Sequence, residues 1–254
     1  MKIQVLPPNI NESYGGFTCL PAEKDTVINN ENKSEKIRFG FYTIKNFGTD
    51  ISDSIIAERK LNGKFKSITD FLDRIKHKNL NKKSMEALIK SGCMDDWGDR
   101  GIFLQNLEAM LEYNHETSKQ NENQVSLFGG ITFIKAPEFK MRTGKDATQA
   151  EKLLWEKELL GLYISGHPLD RLRAKLEKRT VNIKKIKEDK ENNMRNGMQI
   201  TIAGIIETVR PVVTKNNERM AFLKISDLTD SIEAVCFPSI FKNCIDILVA
   251  EKCI

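Results

Sequence analysis

The chain has 254 residues, 40% of them hydrophobic, with Lys plus Arg at 40 against Asp plus Glu at 35 and a formal charge of +5 at pH 7. That is enough to bury the core of one large or two small domains, and the mild basicity points weakly to an anionic partner. Five scattered cysteines without a CxxC or partner histidines argue against a zinc site or a disulfide scaffold, and neither a membrane-length apolar run nor a signal peptide is present, so a reduced cytoplasmic protein is expected.

Residues Ile3 to Leu6 read as a short strand stopped by Pro7-Pro8, and the polar run from Asn29 to Lys36 as a loop. Ile37 to Tyr42 reads as a strand leading into the turn Ile44-Lys45-Asn46-Phe47-Gly48. Beyond it, Thr49 or Asp50 is placed to cap a helix whose Ile51, Ile55 and Ile56 share one face. Ser67 starts a further capped helix over Phe71, Leu72 and Ile75. Asn81 starts another, built on Met85, Leu88 and Ile89, and Gly92 stands where a left-handed residue ends a helix. A second turn, Ser91 to Gly98, precedes a helix carrying Ile102, Phe103, Leu107, Met110 and Leu111. Two such units in tandem, ending near Tyr113, are the pattern of a double helix-hairpin-helix module.

Hairpins of this kind expose main-chain N–H groups at a helix start, where the helix dipole helps to hold a phosphate. Lys45, Asn46, Phe47, Gly48, Thr49 and Gly92 are therefore the candidate contacts to double-stranded DNA, sequence-blind and salt-sensitive. Lys60 to Lys90 adds nine Lys and Arg against Asp70, Asp73 and Glu86. Two ordinary glycine-capped turns on a solvated basic face are the plainer reading of the same residues.

Asn114 to Gly130 has no periodicity and a single apolar cluster, Gln124-Val125-Ser126-Leu127-Phe128. It reads either as a peptide motif that fills an apolar pocket on a partner, or as a segment folded back on its own domain. Residues 148 to 165 read as a helix that Ser165-Gly166-His167-Pro168-Leu169 ends. His167 has no acid or nucleophile beside it in the pattern, and reads as a turn cap rather than a catalytic base. Arg171 to Lys190 is a second basic stretch with the character of a solvated helix.

From Met198 the period drops to two. Gln199 to Val209 reads as a strand bent at Gly204, Lys215 to Glu218 as a hairpin turn, Met220 to Leu228 as the returning strand, and Ser231 to Phe237 as the next. This is how an OB-fold begins, with Arg210, Lys215, Arg219, Phe222 and Phe237 as candidates for holding single-stranded DNA. Core packing explains either phenylalanine equally well.

In order along the chain, Val5 to Asn11, the hairpin Ile44 to Gly48, Glu86 to Gly92, Gln124 to Gly129, Glu156 to Tyr163 leading into Ser165 to Asp170, Ala203-Gly204 and Arg219 to Phe222 resemble the C-terminal half of the alpha subunit of bacterial DNA polymerase III, the C-family replicative polymerase. The resemblance implies an α+β multidomain fold: the end of a fingers region over 1–36, a mainly helical tandem helix-hairpin-helix domain over 37–115, a linker over 116–147, a helical connector over 148–197, and a truncated OB-fold β-barrel over 198–254. It implies that Gln124, Ser126, Leu127 and Phe128 dock on the sliding clamp, and that double-stranded DNA, single-stranded DNA and other replicative holoenzyme subunits are the partners. It also places the catalytic aspartates and their Mg²⁺ upstream of Met1, so that no catalytic residue, metal ligand or cofactor is expected here. Asn46 departs from the family, which usually has glycine at that point of the first hairpin, although asparagine tolerates left-handed angles. The alternative is a stand-alone nucleic-acid-binding protein of repair or RNA metabolism with the same two modules.

Overall fold

The computed structural model describes residues 4–20, 36–124, 139–179, 181–188 and 197–254, which form two compact units, Met1–Ser165 and Gly166–Ile254. In the first, β1 (Gln4–Leu6), β2 (Thr18–Leu20) and β3 (Lys36–Arg38) make a small sheet in the order β1-β3-β2, parallel on one side of β3 and antiparallel on the other. The strand expected over Ile37 to Tyr42 stops at Arg38, and Phe41–Thr43 instead make a 3-10 turn into the first bend.

Helix α1 (Thr49–Asn62) starts one residue earlier than its polar residues suggest, because Gly48 is the N-cap and no side chain caps it. Helix α2 (Ile68–Arg74) is capped by Ser67, which accepts from the Asp70 amide at 3.2 Å. Helix α3 (Lys82–Lys90) opens on a capping box between Asn81 and Ser84. It closes on Gly92 at φ +85°, the left-handed angle expected there. Ile51, Ile55, Phe71, Leu72, Met85 and Leu88 meet in one core, which also takes in Ile10 and Leu159.

The helix expected after the second turn is two helices, α4 (Arg100–Gln105) and α5 (Leu107–Gln124). Asn106 separates them: its side chain donates to the carbonyls of Ile102 and Arg142 and accepts from the Arg142 amide, each at 2.9 Å. Helix α5 then continues well past Tyr113 through a sequence without an apolar stripe. Polar groups hold it, since Asn114 Nδ2 donates to the carbonyls of Leu72 and Ile75 at 2.7 and 2.9 Å. Lys76 Nζ donates to the Leu72 carbonyl and to the Thr117 hydroxyl. Buried polar anchors of this kind leave no trace in hydrophobic periodicity.

Helix α6 (Gln149–Leu160) opens on a capping box of Thr148 and Glu151 and ends at Gly161, φ +77°, several residues before Pro168. His167 lies in the second unit, where its Nδ1 accepts from the Leu169 amide at 3.1 Å, the turn-capping role read from the sequence. That unit has the short helices α7 (Arg173–Leu176) and α8 (Ile183–Glu188), then β4 (Ile205–Val213), β5 (Arg219–Ser226) and β6 (Ser231–Cys236) in an antiparallel sheet, and α9 (Pro238–Cys244). Ala221, Leu223, Ile225, Cys236 and Phe241 form its core.

Residues 199–204 are not strand, and the register breaks between Ile206 and Thr208 rather than at Gly204. Gly204 serves a close approach instead, because a Cβ there would lie 2.5 Å from the Ser226 carbonyl oxygen. The described residues form no closed barrel; Cys253 bridges Ile205 where a further strand would pair with β4.

Replacing Asn114 by alanine takes its donor from the Ile75 carbonyl and leaves the Leu72 carbonyl with that of Lys76. The expected cost is about 1–3 kcal/mol, read from urea unfolding, with a midpoint equal to that of the parent counting against this anchoring.

Candidate nucleic-acid interface

The two bends differ in what they offer an anion. At the first, Asn46 takes φ +64°, so asparagine supplies the left-handed residue that the turn requires. Lys45, Asn46, Gly48 and Thr49 are exposed, while the Phe47 side chain is buried edge-on against Phe41 with ring centroids 5.9 Å apart. Phe47 therefore anchors the bend and can present only its main chain. The Lys45 amide is used internally, donating to the Leu159 carbonyl at 3.0 Å. The start of α1 has no side-chain cap, and its exposed Gly48 and Thr49 follow closely on the exposed Lys45, with Asp50 as the acid of its first turn.

The second bend does not match the sequence expectation. Gly92 is buried, and its amide and that of Cys93 donate to the carbonyls of Ile89 and Leu88 at 3.0 and 3.1 Å, a Schellman closure that uses both donors. The Arg100 guanidinium covers the glycine: a Cβ at position 92 would lie 2.4 Å from Nη2. Arg100 is itself buried, with Nη2 2.7 Å from Asp95 Oδ2 and 3.0 Å from Glu156 Oε1, and Nη1 donating to the Lys90 carbonyl at 3.1 Å. Burial opposes the guanidinium charge, but Asp95 and Glu156 more than offset it and raise the Arg100 pKa. Gly92 is thus removed from the candidate DNA contacts, because an internal cation already occupies the space a phosphate would need.

The next helix start is closed as well. Asp99 caps α4 by accepting from the Gly101 amide at 2.7 Å, and it also accepts from the Ala147 amide and from Lys152 Nζ. Burial by itself would raise the Asp99 carboxyl, yet the Lys152 ammonium and the two amides bring it below the usual carboxylate range. A carboxylate at that point repels an incoming anion. Cys93 in this bend is buried, and its thiol is pushed up to about 12, as befits an unreactive core residue.

The basic run from Lys60 to Lys90 is partly consumed by internal pairing. Arg74 bridges Glu58 and Asp70 and lies 4.3 Å from the Phe65 ring centroid, Lys82 pairs with Glu108, and Lys90 with Glu86. Lys64, Lys66, Lys78 and Lys83 are exposed and, among the described residues, form no ion pair. Sequence reasoning missed the Arg100–Glu156 pair; the only signal was a glutamate within an otherwise apolar helix face.

In the second unit, the register sets Arg210 opposite Phe222 and Phe222 opposite Val235, so these three share one face of the sheet. That face is open to solvent: Phe222 is 42% exposed, and Phe237, just beyond β6, is 60% exposed. The alternative of core packing therefore does not apply to either phenylalanine. Arg219 pairs with Val213 on the opposite alternation, and Lys215 lies in the hairpin turn. Of the sliding-clamp candidates, Gln124 is the last residue of α5, and Ser126, Leu127 and Phe128 lie outside the described residues.

A family model for the helix-hairpin-helix motif matches residues 2–101, and one for the OB-fold nucleic acid binding domain matches residues 200–254. The DNA polymerase III subunit alpha of Campylobacter jejuni is 31% identical over 94% of this chain and 19% of its own length. Those of Aquifex aeolicus and Borreliella burgdorferi are 32% and 33% identical over 98% and 95% of the chain, and 18% and 20% of their own lengths. The chain thus spans about a fifth of the length of the curated relatives it matches.

Gly92→Ala forces a left-handed angle on a side chain that also meets Arg100. It is expected to lose about 1–3 kcal/mol in urea unfolding, while the folded fraction binds duplex DNA as tightly as the parent. A stable variant with weakened duplex binding would return Gly92 to the interface.

Proposed function

We propose that this chain, which over nearly its whole length is homologous to one segment of DNA polymerase III alpha subunits, grips double-stranded DNA without reading its sequence and so supports template-directed synthesis by such a polymerase. The observation that carries this reading is the exposed first bend, where Lys45 stands beside an uncapped helix start. Amides and a helix dipole attract any phosphodiester, whatever the base attached to it. Lys45, Asn46, Gly48 and Thr49 are the contacts, with the exposed lysines of α3 and of the segments flanking α2 supplying a diffuse field.

The OB-fold unit takes the single strand. Arg210 holds a phosphate while bases stack on Phe222 and Phe237, an arrangement indifferent to sequence because every base has a flat face. Gln124, Ser126, Leu127 and Phe128 tether the polymerase to the sliding clamp, raising the effective concentration of DNA for a polymerase that has let go. Nucleotidyl transfer with Mg²⁺ is the work of the whole polymerase, together with other holoenzyme subunits in the cytoplasm. Nothing in this chain's own residues is assigned a step in that chemistry.

Lys45→Glu is expected to weaken duplex binding about tenfold in low salt and to lower the slope of log affinity against log salt by about 1, measured by fluorescence anisotropy. Unchanged affinity and slope would remove the first bend from the interface. For the tether, a labelled peptide of residues 120–130 is expected to bind the sliding clamp and to lose that binding when Leu127 and Phe128 are both alanine. A peptide that ignores the clamp sinks the tethering claim and leaves the DNA claim standing.

A further inference from the structure

Away from both bends, the small sheet of the first unit forms one wall of a cleft of about 440 Å³. That is within the size range of small-molecule sites, roughly 300–1,000 Å³. Lys36 and Arg38 are two residues apart on the central strand β3, so both point to the same face of the sheet, and both line the cleft. Arg59 and Tyr14 also line it, and Glu12 is the acid among its lining residues. Lys60 lies 5.7 Å from the Tyr14 ring centroid. Leu6 and Leu20 add an apolar surface.

The cations here are unequally used. Arg59 is committed, with its two terminal nitrogens donating at 2.8 Å to the carbonyls of Ile10 and Ser13. Arg38 donates to the Pro7 carbonyl at 2.9 Å and pairs with Glu12, while its Nε is buried without a hydrogen-bond partner among the described residues. Lys36 is half-buried in the lining and forms no ion pair among the described residues. Lys36 is therefore the cation of the lining left to pair with an anion, and Arg38, held by Pro7 and Glu12, adds its charge beside it. Three positive side chains against one carboxylate leave the cleft in excess of positive charge even with the Arg38–Glu12 pair formed.

We propose that this cleft binds the phosphate of a nucleotide, held by Lys36 beside the positive charge of Arg38, with the base lying against Tyr14. The tyrosine is well placed for this. It is 47% exposed, and the Arg59 guanidinium 5.2 Å from its ring centroid helps to fix the ring. The phosphate could belong to a free nucleotide or to the terminal nucleotide of a strand; the chemistry of recognition is the same. This site does not depend on the hairpin reading, since it shares no residue with the first bend.

The test uses the full chain, calorimetric titration, and three probes: dTMP, thymidine, and a short oligothymidylate with or without a 5′-phosphate. Binding of dTMP but not thymidine, weakened about tenfold by Lys36→Gln, kept by Lys36→Arg and weakened by Tyr14→Ala, supports the site with a free nucleotide as its source. If dTMP fails but the 5′-phosphorylated strand gains affinity over the unphosphorylated one, and Lys36→Gln abolishes that gain, the source is a strand terminus. Lys45→Gln leaves either signal unchanged, which separates this site from the duplex interface. Absence of any phosphate-dependent binding, or a phosphate-dependent signal that survives Lys36→Gln, overturns the proposal.

Discussion

Arg100 is the contact on which the first unit depends. One guanidinium, 2% exposed as a side chain, joins the carbonyl at the end of α3, the carboxylate of Asp95 in the second bend and the fully buried Glu156 of α6. Glu156 in turn accepts from the amides of Ile164 and Ser165 at 2.8 and 2.9 Å, so the same carboxylate also closes the chain after α6. Removing either partner would strand a charge in the interior, which costs far more than the intact pair contributes. The glycine at 92 is required because the guanidinium occupies the space a side chain would need.

This arrangement makes the two bends unlike. Both have a left-handed residue and both lead into a helix, but only the first sets an exposed lysine close before a helix start that has no side-chain cap. The second has been turned inward: its donors close α3, its glycine is roofed by Arg100 and its following helix is capped by Asp99. The tandem repeat is a repeat of backbone geometry, with anion binding in one copy and cohesion in the other. The apolar residues of the two copies share a single core, in which Ile10 and Leu159 also take part.

Much of this was legible in the sequence. Ser67, Asn81 and Gly92 mark helix ends because capping is a local interaction between near neighbours, and Lys215 to Glu218 marks a hairpin for the same reason. What was not legible involved partners distant in the chain. Nothing near Gly92 announces that a residue eight positions on will cover it, or that the neutralising carboxylate lies at 156. The continuation of α5 was hidden because Asn114 and Thr117 are held by hydrogen bonds to α2 and Lys76, which a search for apolar periodicity passes over. The exposed face of the β4–β6 sheet was hidden for a like reason. Alternation along each strand does not say whether Arg210 and Phe222 share a side; the cross-strand register puts them opposite one another.

The bond from the Lys45 amide to the Leu159 carbonyl also bears on how the molecule can be dissected. A fragment cut at the visible end of the second hairpin would keep the first bend in sequence but lose the acceptor that holds its entry. The smallest excisable piece with the bend intact must therefore run from the first strand to the end of α6, so that the grip on a nucleic acid belongs to a tertiary assembly and not to a portable motif.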